Sequence, residues 1–470
     1  MVIQGGMGVA VSSWPLARAV SMMGQLGIVS GTGLDTVFTR RLQLGDIGGH
    51  MRRALDHFPI REMAERIWQR YYVPGGKNPN TPFKSKPIPD IRLTKALRDL
   101  IVVANFSEVF LAKEGHDGVA GLNLLEKLQI PTLPSLFGAM LAGVDYVQMG
   151  AGIPLAIPAV LDRLAALEPT ELKINVVGAL PGEEYLTTFD PREYCETQPS
   201  SLKRPKFLAV IASATLATTM VRRSAGKVDG FVIEGGTAGG HNAPPRGALT
   251  LNDRGEPIYG PRDVVNLADI RELGLPFWLA GSFGDPEKLR AALDEGAQGI
   301  QVGTAFAFCE ESGIDPKIRA RVIHDSLDGT ISIFTDPLAS PTGFPFKIVQ
   351  MEGTYSDPAV CERRERICDL GYLRTLYRKD SGKVGYRCPG EPEADFVEKG
   401  GNLAETVGRT CLCNGLLGTI GLAQVRNGEL EPAIVTAGDD VVALSKLIGP
   451  NKTSYSAKDV LSYLLSGINN

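Results

Sequence analysis

The sequence lacks the features that mark membrane, secreted or nucleic-acid-binding proteins. No apolar run reaches the ~18 residues that a membrane-spanning helix requires, and we expect no membrane segment. Residues 1–20 show no basic region followed by an apolar one, as a signal peptide would. The formal net charge of −4 offers no attraction to nucleic acid or to an anionic membrane. The composition therefore indicates neither a nucleic-acid nor a membrane partner and is ordinary for a soluble globular enzyme.

Cysteine is scarce, and its seven occurrences are odd in number and scattered. This usage fits a reducing cytoplasm better than a disulfide framework. Several lie towards the end of the chain without the ligand spacing of a structural zinc site, so we predict free thiols and no metal. These are Cys361, Cys368, Cys388, Cys411 and Cys413.

Long apolar runs are absent, but eight short ones recur, and most end in glycine or another small residue. They lie at 2–7, 26–33, 100–107, 146–153, 207–213, 230–236, 277–284 and 299–306. Near-continuous apolar character predicts strands that are buried on both faces, as in a parallel sheet. Helical patterns follow many of them, at 13–25, 157–168, 214–226 and 285–297. Strand followed by helix, eight times, predicts a (β/α)8 TIM barrel.

The alternative architecture is an open doubly wound sheet, whose GxGxxG dinucleotide fingerprint is not evident. We predict one barrel over residues 1–330, with insertions at about 34–98 and 169–206. The first insertion has a helical pattern and a Pro/Lys/Asn-rich loop, and the second has a strand-like run, "KINVVG", and a polar loop. Residues 331–470 are predicted to form a C-terminal extension that packs on the barrel.

Two consecutive predicted strands end in residues that suit an anion. Gly281 and Ser282 follow the seventh strand just before a helical pattern, and Gly303 and Thr304 follow the eighth. Free backbone N–H groups and a helix N-terminus bind phosphate well, and TIM barrels commonly bind it after strands 7 and 8. These glycines could instead be tight barrel corners, but their occurrence on both strands favours a phosphate site.

Three segments together resemble the nitronate monooxygenase family, also called 2-nitropropane dioxygenases. They are "VIQGGMG" (2–8), "VDGFVIEGGTAGGH" (228–241) and "LPFWLAGSFGDPEKLRAALDEGAQGIQVGTAF" (275–306). The related flavin-dependent enoyl reductases of fatty-acid and polyketide synthesis share this pattern. The resemblance covers roughly residues 2–310 and implies FMN bound in a TIM barrel.

The resemblance also implies flavin contacts for eight residues. The turn after the first strand would lie against the flavin ring, and an asparagine would lie at the end of the third strand. The loops after the seventh and eighth strands would hold the phosphate. These residues are Gly5, Gly6, Met7, Asn105, Gly281, Ser282, Gly303 and Thr304. Ser282 stands where the family often has glycine, which is a mild departure because serine keeps its N–H.

His241 matches the family's histidine beside the flavin. The resemblance implies that it either takes a proton from a neutral nitroalkane or hydrogen-bonds an anionic substrate, which suits imidazole. Gly236 and Thr237 depart from the family's usual residues at the preceding positions. Gln301 is either an interior barrel residue or a flavin contact, and Arg246 either meets an anionic substrate or lies on the surface.

The implied activity is that of an FMN-dependent nitronate monooxygenase, which oxidises alkyl nitronates with O2 to a carbonyl compound and nitrite. The alternative is an NAD(P)H-dependent enoyl reductase acting on acyl thioesters, which the insertions and the C-terminal extension favour. A flavin-binding scaffold without turnover is a third hypothesis, against which His241 argues. The sequence is compatible with a homodimer and does not determine the oligomeric state.

Overall fold

A computed structural model describes residues 1–195, 201–449, 452–466 and 468. Parallel strands close into a barrel in which neighbours around the barrel are neighbours along the chain. We number these barrel strands 1 to 8: Val2–Gln4, Leu26–Ser30, Ala120–Leu125, Tyr146–Gly150, Lys206–Ile211, Gly230–Glu234, Phe277–Ala280 and Gly299–Val302. Strand 1 pairs with both strand 2 and strand 8, which closes the ring. The predicted (β/α)8 TIM barrel is confirmed.

The barrel strands are buried on both faces. One set of side chains fills the barrel interior: Ile3, Leu26, Ile28, Leu208, Val232, Trp278 and Ala280. Their neighbours along the strands, such as Val2, Val29 and Phe231, belong to the larger core that the surrounding helices complete. Because neither face meets water, the strands show the continuous apolar character from which they were predicted.

The prediction of a third strand at 100–107 was wrong. These residues lie in the helix Lys95–Lys113, whose first turn is capped by the Thr94 hydroxyl, which accepts a hydrogen bond from the N–H of Leu97. Most of this helix is buried, so its apolar run imitates a buried strand. The third barrel strand is instead Ala120–Leu125, "AGLNLL", in which glycine and asparagine lower the β-propensity.

Four helices occur where the sequence predicted them: Trp14–Met22, Ile157–Ala165, Ala214–Arg223 and Pro286–Asp294. The predicted first insertion contains the helices Leu34–Gln43, His50–Asp56 and Arg61–Tyr71. In the predicted second insertion, Thr170–Lys173 pairs with Leu186–Phe189, so the strand-like run at 173–178 is a strand only at its first residue. The other helices before residue 330 are Gln129–Leu141, Leu267–Glu272, Thr304–Ala307 and Pro316–Leu327, and short 3-10 turns lie at Pro191–Tyr194 and Pro261–Asp263.

The described part of the chain after residue 330 contains short antiparallel strands and several short helices. Ile333–Asp336 pairs with Phe346–Val349, and the latter strand also pairs with Gly240–His241. The other antiparallel pairs are Thr375–Arg378 with Val384–Arg387 and Val425–Arg426 with Glu429–Leu430. The helices are Pro358–Arg363, Glu393–Glu398, Leu412–Thr419 and Ala457–Leu465, with 3-10 segments at Leu403–Thr406 and Asp439–Leu447. The last α-helix packs on the helices Trp14–Met22 and Pro286–Asp294. Across the described residues, we find no helix with the length and apolarity needed to span a membrane.

Candidate active site

A cavity of about 560 Å³ lies at the carboxyl ends of the barrel strands, where TIM-barrel enzymes bind their ligands. One side, which we call the floor, is lined by the strand ends and includes Gly5, Gly6, Met7, Gly235, Gly281, Ser282, Gly303 and Thr304. The opposite side, which we call the roof, comes from the chain after residue 330 and includes Phe344, Phe346, Leu412, Leu416, Ile434, Ala437 and Gly438. His241 and Arg246 also line the cavity.

Asn105 is the predicted site residue that the structure places elsewhere. It is 1% exposed in the middle of the helix Lys95–Lys113, where its amide donates to the carbonyl of Ile101 and to the hydroxyl of Ser135. Barrel strand 3 does bring an asparagine to the cavity, but it is Asn123. A Cβ built on Gly6 would lie 2.3 Å from the Cβ of Asn123, so only glycine fits at position 6. A single amide in an otherwise apolar run was the signal that could have identified Asn123.

The loop after barrel strand 7 offers backbone donors to an anion. Gly281 and Ser282 adopt positive φ angles of 96° and 55°, and the latter is uncommon for a residue other than glycine. Within the described residues, the N–H groups of Ser282 and Phe283 donate no hydrogen bond. The helix Pro286–Asp294 begins shortly afterwards. Unpaired N–H groups beside a helix N-terminus are suited to phosphate.

The hydroxyls of the two predicted phosphate loops are already engaged. The Ser282 hydroxyl donates to the carbonyl of Thr237 at 3.2 Å, and the Thr304 hydroxyl accepts from the N–H of Gly438 at 2.9 Å. The hydrogen bond from Gly438 connects the roof to the residues that follow barrel strand 8. The backbone, rather than these hydroxyls, is therefore left for an anion.

Asp440 brings a carboxyl group to the same place. It lines the cavity, its Oδ1 has no hydrogen-bond partner, and a Cβ on Gly284 would lie 3.0 Å from its Oδ2. Burial raises the pKa of Asp440, while the charge of Lys288 opposes that effect. The neutral acid can donate a hydrogen bond to a phosphate, whereas the carboxylate would repel it.

His241 is half-buried where the sixth strand's loop meets the roof. Its Nε2 lies 2.7 Å from the Ser340 hydroxyl, and its ring packs edge-on against Phe346 at 4.7 Å between centroids. Burial, together with the nearby charge of Lys127, lowers the pKa of His241 to about 3. The imidazole is therefore neutral at pH 7.

Two further polar side chains reach the cavity. Glu234 ends barrel strand 6, and burial raises its pKa to about 7. Sequence reasoning missed it, although an acidic residue that ends a buried strand at the barrel mouth is a usable signal. The buried Oε1 of Gln301 has no hydrogen-bond partner, and its side chain lies beside Gly5.

The remaining polar candidates lie at the edge of the site or outside it. Arg246 is exposed at the cavity mouth, where its guanidinium donates to the carbonyl of Ala212 at 3.2 Å. His116 does not line the cavity and bonds to the carbonyl of Ala112 instead. Cys413 lines the cavity as a free thiol. Within the described ranges, no group of three or more His, Cys, Asp or Glu side chains is arranged to hold a metal ion.

Comparisons with known proteins agree with the motifs. Residues 173–337 match the family model for nitronate monooxygenase. A probable nitronate monooxygenase of Staphylococcus haemolyticus is 32% identical over 125 residues, which cover 26% of this chain and 34% of that protein. The nitronate monooxygenase of Pseudomonas aeruginosa is 35% identical over 112 residues, which cover 24% and 30%.

A third relative carries a different name. The (3aS,4S,5R,7aS)-5-hydroxy-7a-methyl-1-oxo-octahydro-1H-indene-4-carboxyl-CoA dehydrogenase of Mycobacterium tuberculosis is 30% identical over 122 residues, which cover 26% of this chain and 31% of that protein. The matches span about a third of the length of these curated relatives.

Solved structures also align along nearly the whole chain, at low identity. FabK from Thermotoga maritima is 16% identical with a TM-score of 0.46, and the alignment covers 99% of this chain and 91% of that one. The nitroalkane oxidase from Streptomyces ansochromogenes is 15% identical with a TM-score of 0.47, covering 99% and 96%. The family model and the curated relatives confirm the resemblance, which in this chain is carried by residues 173–337.

Proposed function

We propose that the chain is an FMN-dependent oxidoreductase that oxidises alkyl nitronates with O2 to a carbonyl compound and nitrite. The observation that carries this proposal is one cavity in which a glycine-rich floor with unpaired backbone donors faces a single neutral histidine. The match of residues 173–337 to the nitronate monooxygenase family model supports the reaction type.

The residues present fit FMN. Gly5 and Gly6 carry no side chains, so a planar ring can approach the ends of barrel strand 1. The unpaired Gln301 amide oxygen suits a donor on the ring, and the N–H groups of Ser282 and Phe283 suit the phosphate. Bound there, FMN would supply the two-electron chemistry that takes electrons from the substrate and passes them to O2.

The chain's own polar groups act on the substrate. A neutral His241 can hydrogen-bond an anionic nitronate oxygen without a change of protonation state. Glu234, with its pKa near 7, can hold or release a proton close to working pH. Phe344 and Phe346 on the roof keep bulk water away and strengthen these polar contacts.

The apolar roof favours one second candidate, an NAD(P)H-dependent enoyl reductase of acyl thioesters. Leu412, Leu416 and Ile434 extend the cavity wall with surface that a short nitronate does not need, whereas an acyl chain would bury itself against it. The name of one curated relative refers to a carboxyl-CoA compound. In this alternative Glu234, with its pKa near 7, is the group that would donate a proton to the enolate that forms on hydride addition.

Anaerobic reduction separates the two candidates. Purified protein is expected to be yellow and to release FMN on denaturation; release of FAD would contradict the cofactor assignment. Propionate 3-nitronate should then bleach the flavin absorbance in the absence of O2, and NADH and NADPH should not. Bleaching by NADPH or NADH alone would replace the nitronate proposal with the reductase. No bleaching by any of the three would leave neither reaction standing.

A further inference from the structure

Two hydroxyl side chains, Thr342 and Ser340, join Lys127 to His241 through a continuous line of hydrogen bonds. The Lys127 ammonium donates to the Thr342 hydroxyl at 3.3 Å, that hydroxyl lies 2.8 Å from the Ser340 hydroxyl, and Ser340 lies 2.7 Å from Nε2 of His241. Thr342 also approaches Nε2 at 3.4 Å. Both hydroxyls come from the chain after residue 330, nearly 100 positions from His241 in sequence.

The charge at one end fixes the direction of this line. An ammonium group has donors only, so Thr342 Oγ1 must accept from Lys127. Thr342 then has its own proton to donate, and Ser340 Oγ at 2.8 Å is a closer acceptor than Nε2 of His241 at 3.4 Å. The Ser340 proton is left for Nε2 of His241. In the reverse direction, Nε2 would donate to Ser340 and Ser340 to Thr342, which would leave the Thr342 proton without an acceptor in the line.

Neighbouring residues hold the side chains of this line in place. Ser340 is fully buried, and the Arg409 guanidinium donates to the carbonyls of Leu338 and Ser340, both at 2.6 Å. The Lys127 Nζ lies 3.4 Å from the centroid of the Phe344 ring, which stabilises the cation. Little rearrangement is therefore needed before a substrate arrives.

If Nε2 accepts from Ser340, a neutral ring must carry its proton on Nδ1. Among the described residues, Nδ1 makes no hydrogen bond, and His241 lines the cavity. The ring nitrogen that remains for a ligand is then a donor and not a base. The Lys127 charge behind the line favours negative charge on the ligand that it meets.

We propose that Lys127, Thr342 and Ser340 are positioning residues that hold His241 as its neutral Nδ1–H tautomer, so that His241 donates a hydrogen bond to an anionic substrate oxygen. The hydrogen bond from His241 to the substrate rests on the proposed function, because a nitronate carries an anionic oxygen. The thioester enolate of the alternative function carries one as well. General-base removal of a proton from a neutral nitroalkane by His241 is excluded on this proposal, because the nitrogen facing the cavity has no free lone pair.

The tautomer can be measured without turnover. Full-length holoprotein labelled with 15N-histidine is observed by two-bond 1H–15N correlation at pH 7, and the His241 signals are assigned by their loss in His241→Gln. We expect the Nδ1 shift of a protonated nitrogen and the Nε2 shift of an unprotonated one. An Nε2-protonated ring, or a charged ring, would overturn the proposal.

Variants test the line itself. In Ser340→Ala and in Lys127→Met, His241 should no longer be held as the Nδ1–H tautomer, and the ring should show a mixture of tautomers or a switch to Nε2–H. Ser340→Thr should keep the Nδ1–H tautomer of wild type. Ser326→Ala is the matched control, because the Ser326 hydroxyl is also buried but donates to the carbonyl of Val441. An unchanged His241 tautomer in both Ser340→Ala and Lys127→Met would also count against the proposal.

Kinetics then separate this inference from the proposed function. Loss of an oriented donor to an anion costs about 10-fold in kcat/KM, so Ser340→Ala should lose about that much on the nitronate. His241→Ala should lose the same factor on the nitronate and on the neutral nitroalkane; a much larger loss on the neutral form would mean that His241 is a base. If the tautomer is as expected but wild type turns over no nitronate, the positioning stands and the proposed function fails.

Discussion

The floor and the roof of the cavity are built from different parts of the chain and by different means. The floor is mostly backbone, with glycines and small residues at the ends of barrel strands 1, 6, 7 and 8. The roof is mostly side chains, which arrive from segments between residues 340 and 440. The family match, residues 173–337, includes strands of the floor and stops before the roof. Of the floor strands, the match contains barrel strands 6, 7 and 8 but not strand 1.

The largest expected effect comes from placing a charge in the floor. Gly303→Glu should abolish FMN retention, because a carboxylate would stand where the backbone meets the phosphate. A Cβ at Gly303 has only Met7 nearby, at 3.6 Å from its Sδ, so Gly303→Ala should still fold and bind FMN. Flavin absorbance per protein, after gel filtration, measures occupancy. Equal occupancy in the Glu and Ala variants would show that the phosphate lies elsewhere.

The contact between floor and roof should be sensitive to a single methyl group. A Cβ on Gly239 would lie 2.6 Å from the backbone carbon of Ala437, which cannot move aside as a side chain could. Gly239→Ala should therefore cost about 1–3 kcal/mol in the free energy of unfolding. Gly235→Ala is the matched control, because a Cβ there meets only Thr237 Oγ1 at 4.0 Å. Urea titration of both variants gives the comparison, and equal stabilities would mean that the roof is free to shift.

The floor was largely predictable because each piece is local. A buried strand, its terminal glycines and His241 all lie within one short stretch, and the strand's apolar character follows from burial on both faces. The failure at residues 100–107 has the same cause: a helix that is buried all round leaves the same apolar signature, and periodicity cannot separate the two. Asn105 was then assigned to the cavity because it occurs in the wrong buried element.

The roof was not predictable from local patterns. His241 meets Ser340 across 99 positions, and Phe346 through a short antiparallel pairing. Nothing in the sequence around Ser340 indicates a hydroxyl that bonds a histidine. Residues 339–347 contain two prolines and a glycine, but the partners of their side chains depend on the tertiary fold alone.

Asn123 lines the cavity and Asn105 is buried in the core, so variants of these two asparagines compare the two environments. Asn123→Ala should weaken FMN binding about 10-fold or less, because Asn123 lines the cavity, and should change stability little. Asn105→Ala should leave FMN affinity unchanged and cost about 1–2 kcal/mol in stability, since it leaves the buried Ile101 carbonyl and Ser135 hydroxyl short of a partner. Flavin fluorescence titration and urea unfolding measure the two effects. The reverse pattern would restore Asn105 as the flavin residue.

The smallest effect concerns acid stability where floor and roof meet at His241. Its pKa is about 3 in the folded chain and 6.5 in an unfolded one, so between these values the unfolded state binds more protons. The contribution of His241 to stability is therefore fully present above pH 6.5 and is lost as the pH falls towards 3. Glu234 acts in the opposite sense, because a pKa raised to about 7 gives stability that is lost as the pH rises through 7.

Comparison of single variants isolates the histidine from the carboxyl group. Relative to His241→Gln, wild type should lose about 1 kcal/mol in the free energy of unfolding between pH 7.5 and pH 5, a figure reduced from the full shift because His241 is only half-buried. His324→Gln is the matched control, since that side chain is 70% exposed, and its difference from wild type should not vary in this way. Urea titrations at the two pH values measure the effect. If wild type and His241→Gln lose stability in parallel, the imidazole is not held neutral by its burial under the roof, and His241 belongs to the solvated mouth of the barrel instead.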